Sequence, residues 1–225
     1  MISDLKAIVF DAYGTLFDVK SIDAKLAEHF GKKAGELSNI WRSKQLEYTW
    51  LRTLMGRYVP FTKVTEDALV FATQRLNIQL KPELTKELMD AYLELTVFEE
   101  VLPNLKALSA HCGLAVLSNA DLNMLDAAVR YNQIDTLINH IFSADKLRLY
   151  KPSPPVYQMA CDGLNLEKHQ IGFVSSNTWD IAGATSFGFR AIWLDRKSGT
   201  LDQLDVKPHR VVQSLDDLVD IRFKT

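Results

Sequence analysis

The sequence predicts an α/β protein: a doubly wound, mostly parallel sheet with a helical insert after its first strand. Three observations carry this. Short apolar runs without polar alternation recur along the chain, as strands buried on both faces of a parallel sheet require. They are Ala7–Phe10, Leu114–Leu117, Ile171–Val174 and Ala191–Leu194, with a shorter one at Val211–Val212. Stretches of helical character separate them, which is the alternation of an open doubly wound sheet. From about Val19 to about Phe98 the alternation stops, and only helical periodicity is found.

Each element has its own signal. Pro103 sits where a first-turn proline belongs, ahead of Leu105 and Leu108, and Pro154 with Pro155 opens a helix running through Met159 and Cys161. In the strand-free stretch, Leu26 pairs with Phe30, Leu46 with Trp50 and Leu54, and Leu84 with Leu88, Tyr92 and Leu95, all at helical spacing. The stretch is too long for a loop. The expected division is therefore a core of residues 1–18 and 99–225 and a helical insert of residues 19–98.

Composition excludes several classes. The chain has 225 residues, long enough to bury a core without staples. Lys and Arg number 26 against 28 Asp and Glu, a net charge of −2, and no basic stripe runs beside aromatics, so no nucleic-acid partner is expected. The N-terminus carries an early acid and only a short apolar run, and no segment approaches a membrane span. A soluble, cytoplasmic protein is expected. Cys112 and Cys161 lie far apart in no metal-ligand spacing, and two buried thiols in a reducing compartment is the expectation. His29, His111, His140, His169 and His209 fall in no motif and read as structural or surface residues.

In an open α/β sheet, ligands bind beyond the carboxyl ends of the strands. The first run ends in Asp11, within DAYGTLFD, and the second in Ser118-Asn119. Lys151-Pro152 precedes the proline-opened helix, and the run at 171–174 ends in Ser175-Ser176-Asn177-Thr178-Trp179-Asp180. Four polar sets from separate parts of the chain are thus expected on one rim.

DAYGTLFD, SNA, KPSPPVY and SSNTWDIAGA, in this order and at these separations, resemble the L-2-haloacid dehalogenase branch of the haloacid dehalogenase superfamily. The resemblance covers essentially the whole chain. It implies a Rossmann-like core with a helical cap, and hydrolysis of short (S)-2-haloacids to (R)-2-hydroxyacids and halide. Within the superfamily, phosphatases carry a second Asp two residues after the nucleophile and further acids in the last motif to hold Mg²⁺. Here those places hold Tyr13, Ser175 and Asn177, leaving Asp180 as the last motif's acid. Such a site is poorly supplied for a hard cation. No metal and no cofactor are therefore expected.

The resemblance also implies roles. Asp11 is the nucleophile, ionised without help from a base because a carboxylate's ordinary pKa is about 4. Ser118 and Thr15 are expected to clamp the substrate carboxylate or support the clamp, and Lys151 to orient Asp11. Arg42 and Asn119 are expected at the departing halide, and Asp180, oriented with Ser175 and Asn177, at the attacking water. Tyr13, Leu46, Phe61 and Trp179 are expected along the substrate's apolar wall, and Tyr157, at a family position near the site, is expected either to meet the substrate or to pack in the core. A homodimer formed through the cap is the implied assembly. Two other readings share the fold: a Mg²⁺-dependent phosphatase, and a non-catalytic binding protein. Tyr13 and the acid-poor last motif weigh against the first, and the joint presence of Asp11, Lys151 and Asp180 against the second.

Overall fold

The computed structural model describes residues 5–219; the outermost residues of the expected core segments, 1–4 and 220–225, lie outside the described residues. Six strands form one sheet: β1 (Ala7–Phe10), β2 (Gly113–Ser118), β3 (His140–Ser143), β4 (Ile171–Ser175), β5 (Arg190–Leu194) and β6 (Arg210–Val212). Their order is β3-β2-β1-β4-β5-β6, with every pairing parallel. The chain winds outward from β1 to β3, then crosses back to lay β4 against β1. The order thus reverses beside β1, and in such a sheet the ligand crevice opens where it does so.

Residue alternation along each strand sorts the core into two layers. Ile8, Phe10, Leu114 and Val116 face one side, with Leu105 and Leu108 of α5 (Val101–Ser109) and Met124 and Leu125 of α6 (Leu122–Tyr131). Val9, Ala115, Leu117 and Phe173 face the other, with Val156 and Ala160 of α7 (Pro154–Leu164) and Ile181 and Ala184 of α8 (Thr178–Phe187). Every residue of β1 is buried, which is why its sequence shows no polar alternation.

One strand has no counterpart in the sequence reading. β3 is the outer strand, its residues His140, Ile141 and Phe142 are only partly covered, and its HIFS sequence contains no continuous apolar run. It lacks the two-sided burial that made the inner strands visible, and the other edge strand, β6, was marked only by its Val211–Val212 pair.

Between β1 and α5 the chain forms α1 (Asp23–Phe30), α2 (Ala34–Leu54), α3 (Phe61–Arg75) and α4 (Pro82–Ala91), and no strand. The face that α2 buries differs from the expected one. Ala34, Leu37, Trp41, Gln45 and Thr49 go inside, whereas Leu46 and Trp50 are half-buried and Leu54 is 83% exposed. The buried stripe contains two polar side chains and so lacks an apolar signature. Gln45 is satisfied internally: its amide donates to Thr65 Oγ1 at 2.7 Å, and its Oε1 accepts from Tyr92 OH at 3.1 Å.

The segment leading into α3 is stitched to the sheet's rim. Tyr150 OH donates to the Val59 carbonyl at 2.6 Å, and Tyr58 OH bonds Asp145. Asp121 stands at the N-cap of α6 but makes no side-chain cap there. Its carboxylate accepts instead from the amides of Phe61 at 2.6 Å and Thr62 at 3.1 Å, so it caps α3 across the cleft. Among the described residues no helix is long and apolar enough to cross a membrane.

Candidate active site

Asp11 is the first residue past β1, and its amide continues the ladder by donating to the Val174 carbonyl at 2.9 Å. The chain then turns sharply: the Ala12 carbonyl accepts from the amides of Thr15, Leu16 and Phe17. Gly14 has φ +90°, a backbone position that side-chain-bearing residues rarely adopt, and a Cβ there would lie 3.7 Å from the Asn177 amide group. This turn folds Thr15 back over Asp11.

The two oxygens of Asp11 have different surroundings. Oδ2 accepts from Thr15 Oγ1 at 2.9 Å, Ser175 Oγ at 3.3 Å and Asn177 Nδ2 at 2.7 Å. Oδ1 accepts from Lys151 Nζ at 2.9 Å. The same ammonium donates to Asp180 Oδ2 at 2.6 Å, and Tyr157 OH donates to Asp180 Oδ1 at 2.7 Å. Asp11, Lys151 and Asp180 are all buried. One cation thus serves two carboxylates away from water.

The protonation states follow from this shortage of positive charge. Burial alone would raise the Asp11 pKa, but the Lys151 charge and the hydrogen bonds from Lys151, Thr15 and Asn177 outweigh it and hold the carboxyl below its ordinary value. For Asp180 burial wins: against the pull of Lys151 and with the push of the Asp11 charge, its pKa rises to about 6. Burial would lower the Lys151 pKa, yet the two carboxylates raise it, so Lys151 stays charged.

Several expected residues meet at this rim. Ser118 closes β2 level with Ser143, and its Oγ accepts from the Ala120 amide at 3.2 Å. Asn119 Oδ1 accepts from the Lys151 backbone amide at 2.7 Å, fixing the segment that delivers the lysine. Arg42 reaches across from α2, donating to the Tyr13 carbonyl at 3.2 Å and to Gln45 at 2.7 Å. Tyr13 stacks among Phe61, Phe17 and Tyr92, and its buried hydroxyl has no partner among the described residues. Leu46 is half-buried one residue past Gln45 on α2.

Other expectations need correction. Ser175 and Asn177 were expected to orient Asp180, but both donate to Asp11; Lys151 and Tyr157 hold Asp180. The cause is that Asp180 lies in the first turn of α8, below the loop carrying the other two. Thr15 does not stand free for a substrate carboxylate, because its hydroxyl donates to Asp11 and accepts from the Ser176 amide at 2.9 Å. Tyr157 combines the two places open to it: its ring packs in the core against Phe173, Phe187 and Phe189, and its hydroxyl reaches the site through Asp180. Gly183 permits that reach, since a Cβ there would stand 2.4 Å from the Tyr157 hydroxyl. Trp179, by contrast, keeps its expected place between the strand-end loops and α2, packed edge-on against Trp50. Cys161 is buried as expected, whereas Cys112 is half-buried; both are free thiols. None of the five histidines bonds a site residue: His29 and His169 pair with Glu87 and Glu167, for example.

Asp121, Gln45 and Arg196 are structural partners of this site that the sequence reading passed over. For Asp121 and Arg196 a signal existed, since each follows the carboxyl end of a predicted strand by two or more residues. Gln45 gave none; a buried amide in a long helix looks like a surface one.

Comparisons with known proteins agree with this geometry. The family model of haloacid dehalogenase-like hydrolases matches residues 5–188. The chain is 44% identical over 221 residues to (S)-2-haloacid dehalogenase 1 of Pseudomonas sp. strain CBS-3, with 98% of this chain and 97% of that protein covered. It is 40% identical over 219 residues to (S)-2-haloacid dehalogenase 2 of the same strain, covering 97% and 96%. Among solved structures, L-2-haloacid dehalogenase from Xanthobacter autotrophicus with chloropropionic acid covalently bound matches with a TM-score of 0.92 at 32% identity, covering 96% and 97%. The chain belongs to the haloacid dehalogenase-like hydrolases.

Members of this fold that use Mg²⁺ must gather oxygen ligands around it. The residues here do not fit that ion. The ammonium of Lys151 fills the space between the two carboxylates. Among the described residues no group of three or more His, Cys, Asp or Glu side chains is arranged to hold a metal.

The shared ammonium generates a stability prediction. Removing one member of a buried ion pair costs about 3–5 kcal/mol, because the remaining charge is left unpaired. In Lys151→Met both carboxylates lose their cation, so the folded pKa of Asp11 moves above its unfolded value and that of Asp180, already raised, rises further. A raised acid stabilises the fold fully below its unfolded pKa, and that contribution disappears as pH rises through the folded value. The stability deficit of Lys151→Met relative to the parent, measured by chemical denaturation, should therefore be larger at pH 8 than at pH 5. An equal deficit at both pH values would show that the lysine contributes packing rather than charge.

Proposed function

We propose that the protein hydrolyses the carbon–halogen bond of short (S)-2-haloacids, releasing halide and the (R)-2-hydroxyacid, with Asp11 as covalent nucleophile. The observation that carries this is the unequal engagement of the Asp11 oxygens: three donors on Oδ2 and one on Oδ1. Oδ1 has lone-pair density to offer a carbon; Oδ2 is held in place.

In the first step Oδ1 attacks C2 opposite the halogen. The Oδ1–C2 bond forms, the C2–halogen bond breaks, and halide leaves with the bonding pair while C2 inverts. A carboxylate is a modest nucleophile, so the fixed angle at which the β1 backbone and Lys151 hold Oδ1 supplies much of the rate; orientation contributes up to roughly 7–11 kcal/mol. Ser118 and nearby amides clamp the substrate carboxylate, Thr15 supports the nucleophile, and Arg42 with Asn119 receives the halide. Tyr13, Leu46, Phe61 and Trp179 exclude water from C2. In the second step water adds to the Asp11 carbonyl carbon and gives its proton to Asp180. Oδ2 carries the negative charge meanwhile, so Thr15, Ser175 and Asn177 act as an oxyanion hole. Collapse breaks the bond from the Asp11 carbonyl carbon to the former Oδ1, Asp180 returns its proton to that leaving oxygen, and the hydroxyacid departs. The Asp11 carboxyl then loses the remaining water proton to solvent and is restored as a carboxylate.

The same reading assigns residues 19–98 to a cap over a core of residues 1–18 and 99–225, no requirement for metal, and a cytoplasmic setting in which Cys112 and Cys161 stay reduced. It also includes a homodimer formed through the cap. In support, Leu51, Leu54 and Met55 leave a cluster of apolar side chains exposed at the end of α2. Sedimentation at micromolar concentration should give twice the chain mass; a monomer would remove the dimer from the proposal.

A halide-release assay on both enantiomers of 2-chloropropionate, with and without chelator, tests the activity. The S enantiomer should be consumed to R-lactate, with chelation making no difference. Turnover should also fall as pH drops through about 6, because Asp180 must be ionised to take the proton from water. Equal use of both enantiomers, retention at C2, or loss of activity restored by Mg²⁺ would each contradict the mechanism.

A further inference from the structure

Arg196 lies just beyond β5, on the strand-end rim but outside the group of side chains that touch Asp11. It is mostly covered, and its guanidinium fork is engaged on every side. Nε donates to Glu100 at 2.6 Å, Nη2 to the Thr15 carbonyl at 2.8 Å, and Nη1 to Ser176 Oγ at 3.1 Å and the Gly14 carbonyl at 3.4 Å. Its plane rests on Phe98, with Cζ 3.8 Å from the ring centroid.

These contacts have a pattern. All three donors on Asp11 Oδ2 come from two loops, Thr15 from the β1 loop and Ser175 with Asn177 from the β4 loop. Arg196 grips the peptide carbonyls at Gly14 and Thr15 in the first, and Ser176, between the two donors, in the second. Glu100 and Phe98, where the chain returns to the core, fix Arg196 in turn.

We infer that Arg196 is a positioning residue for the second half-reaction, aligning the two loops whose donors stabilise charge on Asp11 Oδ2. The inference rests on the covalent mechanism proposed above. The two steps place opposite demands on those donors. During attack on C2 the Asp11 carboxylate loses charge, so slackened donors do not raise that barrier. During attack by water Oδ2 goes from a neutral carbonyl to an oxyanion, and alignment of donors counts most where charge develops. Loss of Arg196 therefore slows ester hydrolysis selectively. Lysine does not replace it, because a single ammonium lacks the planar fork that spans both loops.

The test is rapid mixing of (S)-2-chloropropionate with Arg196→Met, Arg196→Lys and Ser176→Ala enzymes. Halide is read in the first turnover, and decay of the ester is read by intact-protein mass spectrometry. The amplitude of the halide burst reports the fraction of competent enzyme, so poor folding lowers amplitude without changing either rate constant. Both Arg196 variants should release the first halide at close to the parent rate, while ester decay slows by about tenfold or more, the scale set by misplacing catalytic groups. Ser176→Ala, which removes one contact and keeps the fold, should slow the same step by less. In the steady state kcat and KM should fall together. Equal slowing of both steps, unchanged ester decay in all three variants, or full rescue by lysine would overturn the inference. Parent enzyme that releases halide with no adduct on Asp11 would instead defeat the covalent mechanism itself.

Discussion

The ammonium of Lys151, 1% exposed, lies between the carboxylates of Asp11 and Asp180 at 2.9 and 2.6 Å. Two negative charges and one positive charge away from water would be unstable in most protein interiors, and here the surroundings are built around the imbalance. Asp11 gathers three further donors and remains an anion. Among the described residues Asp180 receives only the Tyr157 hydroxyl besides the lysine, and its pKa rises to about 6. The two carboxylates thereby become different reagents, one suited to attack carbon and one to accept a proton near neutrality. The sheet makes this separation possible, since β1 delivers Asp11 and β4 with α8 delivers Ser175, Asn177 and Asp180 on either side of the switch point.

The second constraint concerns what covers the cleft. Partly buried polar contacts, not an apolar seam alone, tie the helical stretch to the strand ends. Asp121 caps α3 from the core side, Tyr150 holds Val59, and Arg42 returns from α2 to the Tyr13 carbonyl. Each contact fixes a residue of the proposed wall or its neighbour. Tyr13 lies in this cover, its ring against Phe61 and Tyr92 and its buried hydroxyl without a partner among the described residues.

Much of this was legible in the sequence because the physics leaves local traces. The buried strands lack polar alternation, and reading the residues after each strand found Asp11, Ser118, Asn119, Ser175, Asn177 and Asp180. The part that stayed hidden depends on side-chain direction. Strand spacing cannot reveal that Ser175 and Asn177 turn toward Asp11 while Asp180 turns down toward Tyr157. Helical periodicity pointed to Leu46, Trp50 and Leu54 on α2, whereas the helix buries Gln45, satisfied by Thr65 and Tyr92, which are distant in sequence, and Thr49, whose hydroxyl donates to the Leu46 carbonyl one turn back. Tyr157 was placed near the site on resemblance; its hydroxyl does reach the site, but the ring belongs to the core beneath it.

The central claim is that the oxygen joining the product comes from Asp11 and not directly from water. A single turnover of (S)-2-chloropropionate with excess enzyme in ¹⁸O-water, followed by mass spectrometry of the hydroxyacid and of the peptide containing Asp11, tests it most directly. Unlabelled lactate and a labelled Asp11 are expected, because water restores the carboxylate by adding to its carbonyl carbon. Labelled lactate with an unlabelled Asp11 would mean that water attacks C2 itself, and the covalent role given to Asp11 would be wrong.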